Sequence, residues 1–228
     1  MHFLVVGSTL FIYNLPVVLY GSGKARFYSY KGIMCYSGLL LAILASSQFG
    51  KDILWSLFLA GLLSVFYSVP VLPGPKWLRF REIGWLKTLD LAGVWTFATC
   101  ILPIIYHKKS LMHYPIEIAQ RFILIFVLCM LFDLRDLKTD SANQIETLPG
   151  KFGKKSSYLV MDCCIMLFIA LGCAQFQRLM IPERLYGSIA TGIFLKLVVE
   201  MLKKSTQKNI FILLGDGVML FYAFCVLI

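Results

Sequence analysis

Residues 1–23, 32–50, 53–75, 91–107, 122–132, 163–177, 185–195 and 217–228 contain no Asp, Glu, Lys or Arg. A membrane-spanning helix needs about 20 mostly apolar residues. The first three runs reach that length and the fourth nearly does. The last four reach it when one or two charged residues fall inside the span, where they must face a polar cavity or a partner rather than lipid. The pattern therefore predicts eight helices, at roughly 3–20, 32–49, 53–71, 88–106, 116–134, 157–175, 184–202 and 209–227. The expected fold class is an all-α polytopic membrane bundle, organised as one integral membrane domain over residues 1–228.

Charge fixes an orientation for this bundle. Eight spans put loops 21–31, 72–87, 135–156 and 203–208 on one side, and these hold most of the Lys and Arg. Loops 50–52, 107–115 and 176–183 on the other side hold few. Cytoplasmic loops are the Lys/Arg-rich ones, so the first group is expected inside and both termini outside, most simply in the cell membrane. The net charge of +10 is then explained by topology and contact with anionic lipid. Dispersed over short loops, the basic residues make a poor nucleic-acid surface.

The chain is 59% hydrophobic with a mean hydropathy of +0.77, which excludes an ordinary soluble domain. It enters its first helix without a flanking charge. There is no basic segment of a signal peptide, and an upstream helix is expected to be missing or lost. The seven cysteines all fall in predicted spans without metal-ligand spacing and read as polarizable packing residues. His2, His107 and His113 suggest no zinc site.

Candidate chemistry concentrates in Phe132–Lys155, FDLRDLKTDSANQIETLPGKFGKK. Asp133, Asp136 and Asp140 are spaced i, i+3 and i+7, within an arc of about 60° on one helix face. Arg135 and Lys138 point elsewhere. Three carboxylates on one stripe repel unless a cation joins them. Mg2+, a hard ion held by one or two carboxylates plus substrate phosphate, suits them. The alternative is a solvated acidic helix end, weakened here because the stripe abuts the bilayer.

DLRDLKTD followed by IETLPGKFG resembles the second aspartate-rich motif of the UbiA-type intramembrane prenyltransferases. Asp133, Asp136 and Asp140 match its acids, and Ile145, Thr147, Leu148, Pro149 and Gly153 its turn. Ser141 stands where a basic residue is usual, and Gln144 where Gly is usual. Tyr67-Ser68-Val69-Pro70, followed by Lys76, Arg79, Arg81 and Lys87, resembles the family's YS-x-P and basic loop. The resemblance implies a nine-helix bundle of which this chain is similar to helices two to nine. It implies Mg2+ on the three aspartates, with Asp136 and Asp140 as the catalytic pair, and Lys76 and Arg79 as diphosphate contacts. The family's first motif should lie at the end of the first helix here. Asn14 could match its leading Asn, but residues 1–51 contain no acid.

Other charges within spans are candidate cavity residues. Asp162 sits near the level of the stripe, whereas Asp90 reads as decorating the first turn of its helix. Lys196 and Asp216 lie at one depth, about 10 Å from the inner helix ends, and are expected to pair, with Glu200 sharing the cation. Glu117 and Arg121, four residues apart, read as a structural pair. Tyr67 and Phe132 are candidates to stabilise a developing cation by cation–π contact.

The leading expectation is Mg2+-dependent transfer of a prenyl group from a polyprenyl diphosphate to an aromatic or lipid acceptor. The second is a non-catalytic relative that binds the prenyl lipid or diphosphate, or supports a membrane partner. A transporter is a third class, disfavoured by the absence of a visible repeat.

Overall fold

The structure is a computed structural model and describes residues 2–20, 29–47, 49–68, 83–142, 145, 147–203 and 208–227. Among these, eight main helices follow the charge-free runs. They are α1 (His2–Tyr20), α2 (Tyr30–Ser46), α3 (Lys51–Ser68), α4 (Gly84–Tyr106), α5 (Pro115–Ala142), α6 (Leu148–Leu179), α7 (Pro182–Lys203) and α8 (Lys208–Leu227). In lipid every backbone N–H and C=O must be satisfied within its own segment, so continuous apolar runs become helices. Helices α4 to α7 are long and apolar enough to cross a bilayer; shorter apolar stretches lie at Val6–Leu15, Tyr30–Ser46, Ile53–Leu62 and Asn209–Cys225. The protein is an all-α membrane protein.

The helices pack as two compact units: Met1–Ile83 with Phe97–Ser110, and Gly84–Thr96 with Leu111–Ile228. In the first, α1 and α2 cross at bare backbone. A Cβ on Gly7 would lie 2.7 Å from the Ala42 nitrogen, and one on Gly38 would lie 2.7 Å from the Phe11 nitrogen. Small residues let membrane helices approach this closely, replacing the hydrophobic drive that lipid does not supply. The Cys35 thiol, buried at this crossing, donates to the Phe11 carbonyl at 3.6 Å.

The second unit is built on α5 to α8. Leu124, Leu128 and Leu131 of α5 pack with Met161, Ile165 and Phe168 of α6, Leu195, Val198 and Val199 of α7, and Val218 and Tyr222 of α8. The α6 residues recur at i, i+4 and i+7, the stripe by which a helix buries one face. Its opposite face exposes Leu159, Met166 and Leu167, an arrangement suited to hydrocarbon rather than water. The first part of α4 lays Ala92 against Ile125 and Cys129 of α5.

Sequence periodicity missed two irregularities. Phe97–Ile101 in α4 is a π turn, two residues before Pro103, whose nitrogen has no hydrogen for the preceding turn. Helix α6 begins nine residues earlier than its expected span, with a kink at Gly153 (φ 80°, ψ 161°).

Candidate functional site

The site grows from the polar end of α5. The helix does not stop where the apolar run stops but continues to Ala142, so Asp133, Asp136 and Asp140 are all helical. Ending at Ala142, it turns back through Ile145, whose N–H donates to the Asp140 carbonyl at 2.9 Å. Thr147 then caps α6, its hydroxyl accepting the Gly150 N–H at 3.3 Å, with Pro149 in the first turn. Pro is tolerated there because first-turn N–H groups have no intrahelical partner. Gly153 adopts a conformation essentially reserved for glycine, and its carbonyl accepts the Ser157 hydroxyl at 2.9 Å. Ile145, Thr147, Pro149 and Gly153 of the motif thus each have a local structural job.

Two aspartates are buried and share one cation. Asp133 is 4% exposed and Asp140 8%. Lys87, in the first turn of α4, places Nζ 2.9 Å from Asp133 Oδ1 and 2.9 Å from Asp140 Oδ2. The neighbouring Thr88 donates its hydroxyl to Asp133 Oδ2 at 2.6 Å. Both oxygens of Asp133 are therefore engaged, as burial of a charge requires. Asp136 is directed otherwise: Arg135 grips it with Nε on Oδ1 at 2.8 Å and a terminal nitrogen on Oδ2 at 2.6 Å. The same guanidinium lies 4.9 Å from the centre of the Phe132 ring.

Mg2+ needs hard oxygen ligands. Asp133 Oδ1 and Asp140 Oδ2 supply them and converge on a single cation position, so the donor set fits such an ion in chemistry and direction. That position is held by Lys87. Among the described residues, no three His, Cys, Asp or Glu draw together into a ready metal centre.

No family model matches the chain, and no curated protein matches it. Among solved structures it is similar to a UbiA homolog from Archaeoglobus fulgidus bound to Cd2+, with a TM-score of 0.68 and 14% identity over 99% of this chain and 86% of that one. The chain has the UbiA fold. The superfamily resemblance carried by DLRDLKTD and IETLPGKFG is borne out at that level. At this identity the likeness speaks for the UbiA fold alone, and the roles of individual residues rest on the geometry above.

The remaining candidates separate into groups. Lys76, Arg79 and Arg81, and the side chain of Tyr67, lie outside the described residues. Asn14 donates its side-chain amide to the Leu10 carbonyl one turn back, at 2.8 Å. Asp90 falls in the second turn of α4 rather than the first, because the helix starts at Gly84. The expected Lys196–Asp216 pair does not form. Lys196 reaches Asp162 of α6 at 2.7 Å and Glu200 at 2.8 Å, while Asp216 is exposed. Glu200 also accepts from Lys203 at 2.6 Å, and Lys203 caps the Tyr158 ring at 4.6 Å. Distance from the helix end does not choose a partner; direction about the helix axis does, and it turns Lys196 toward α6.

Glu117 and Arg121 do not pair either. Glu117 accepts from Gln175 at 2.8 Å and from Arg184 at 3.2 Å, whereas Arg121 stacks over Tyr222 at 4.6 Å. These Glu117 contacts line a cavity of about 370 Å³ with His113, Tyr114 and Arg178. It lies at the opposite end of α5 from the stripe, about 24 Å from Asp133 along the helix. Sequence reasoning counted Lys87 in the basic loop, whereas it lies in the first turn of α4, and it did not single out Thr88. Their signal was modest: a Lys-Thr pair opening an otherwise apolar helix after a basic loop.

Proposed function

We propose that this chain binds a polyprenyl diphosphate at the cytoplasmic end of α5 and transfers its prenyl group to an aromatic or lipid acceptor within the membrane. One observation carries the reading: two buried carboxylates of an aspartate stripe converge on one cation position in a chain with the UbiA fold. The homolog's Cd2+ supports metal use at such a fold. Asp133 and Asp140 would hold Mg2+, and Asp136, gripped here by Arg135, would join them on exchanging that partner, with Asp136 and Asp140 as the catalytic pair. When bound, Mg2+ would neutralise diphosphate oxygens and assist departure of the leaving group.

The chain's own residues perform the rest. Lys87 and Arg135 add positive charge beside the acids, and Lys76 and Arg79 of the basic loop contact the diphosphate. Such preorganised cations oppose charge developing on a leaving group. The apolar bundle accommodates the prenyl tail. Phe132, one face of which carries Arg135, and Tyr67 are the aromatic candidates to stabilise a developing cation.

A second reading is favoured by the absence of acids in residues 1–51 and by the cations already seated on the stripe. In it, the chain binds prenyl diphosphate without turning it over. Purified protein given Mg2+ and radiolabelled geranylgeranyl diphosphate decides between them. Hydrolysis or transfer, abolished by Asp136→Asn with Asp140→Asn, supports the enzyme; binding without product supports the second reading. Absence of both binding and product rejects the site.

A further inference from the structure

The acidic stripe carries its own counter-ion. Lys87 comes from a different helix than the aspartates, 46 residues before Asp133 and 53 before Asp140, so its meeting with them is a product of folding rather than of sequence proximity. Its ammonium makes equal 2.9 Å contacts to one oxygen of each carboxylate, from a side chain only 18% exposed. Thr88 occupies the second oxygen of Asp133, and Arg135 both oxygens of Asp136. Every carboxylate of the stripe therefore meets a protein cation. A buried pair of this kind is strongly held, because removing one partner strands the other's charge away from water.

We propose that Lys87 is the resident cation of the aspartate site. Its ammonium holds the position between Asp133 and Asp140 that a divalent ion would otherwise take. A divalent ion enters only by displacing it, and the site is charged for diphosphate with little metal bound. This deepens the reading of the stripe as a diphosphate site and rests on it, but its test is separate.

The test is Mn2+ binding to purified protein, read by electron paramagnetic resonance, in wild type and Lys87→Gln. Removing a unit charge about 3 Å from two carboxylates is expected to tighten Mn2+ binding by at least about tenfold. Adding Asp133→Asn and Asp140→Asn to Lys87→Gln should remove the gain. Equal or weaker Mn2+ binding by Lys87→Gln, or a gain that survives loss of both aspartates, overturns the proposal. If Lys87→Gln does not fold, the wild-type protein still decides. Acylation of Lys87, followed by peptide mass spectrometry, should accelerate several-fold once Mn2+ fills the site. An unchanged rate at filled sites overturns it. Geranylgeranyl diphosphate binding is measured alongside. If wild type binds none, with or without Mn2+, the proposed function fails while the Mn2+ comparison stands by itself.

Discussion

Lys196 illustrates how much a single side chain owes to rotation about its helix axis. Its sharing with Glu200, four residues on, was legible. Its main partner was not. Asp162 and Lys196 are 42% and 38% exposed as side chains, on a face that also shows Leu159, Ile193 and Leu197. Charges on such a face are tolerable in lipid when they neutralise one another and lead toward the interface, as the series Asp162, Lys196, Glu200 and Lys203 does. Lys196→Met should therefore lower the thermal midpoint in detergent by several degrees, by leaving Asp162 without its cation. Adding Asp162→Leu should recover part of that loss; a double variant no more stable than Lys196→Met would remove the coupling.

At the scale of the element, two helices outran their apolar cores. The expected spans 116–134 and 157–175 became Pro115–Ala142 and Leu148–Leu179. Hydropathy sees only the part of a helix that meets hydrocarbon, while backbone hydrogen bonding continues into the polar region. That continuation puts the whole aspartate stripe on one helix. The turn that follows depends on Gly153, at φ 80° and ψ 161°, where an added Cβ would meet nothing within 4 Å. Gly153→Ala thus isolates backbone strain from crowding, and should cost about 1–3 kcal/mol. Chemical denaturation would measure it. A neutral substitution would mean the α6 kink relaxes freely.

For the whole molecule, the balance of Lys and Arg between loops makes a statement about orientation that a bundle of helices alone does not. Segments 107–115 and 135–156 should lie on opposite sides, the latter cytoplasmic. Single-cysteine variants Lys108→Cys and Lys151→Cys, in intact cells, test this with a membrane-impermeant maleimide. Labelling of position 108 but not 151 is expected, and the reverse pattern would invert the topology.

Eight helices in order, their membrane character and the likeness to the UbiA-type proteins could all be read from the chain. They depend on local quantities: charge-free length, and the spacing of acids and turn residues along one backbone. The i, i+3, i+7 register grouped three acids on one helix, of which the fold brings Asp133 and Asp140 to one cation while Asp136 pairs with Arg135. Which cation meets that face could not be read, since Lys87 and Thr88 arrive from another helix and nothing near Asp133 names them. Lys196 choosing Asp162 and Glu117 choosing Gln175 and Arg184 are of the same kind. A linear pattern specifies depth and face; only packing specifies azimuth and neighbour, and it is the neighbour that turned the acidic stripe into a site already holding a cation.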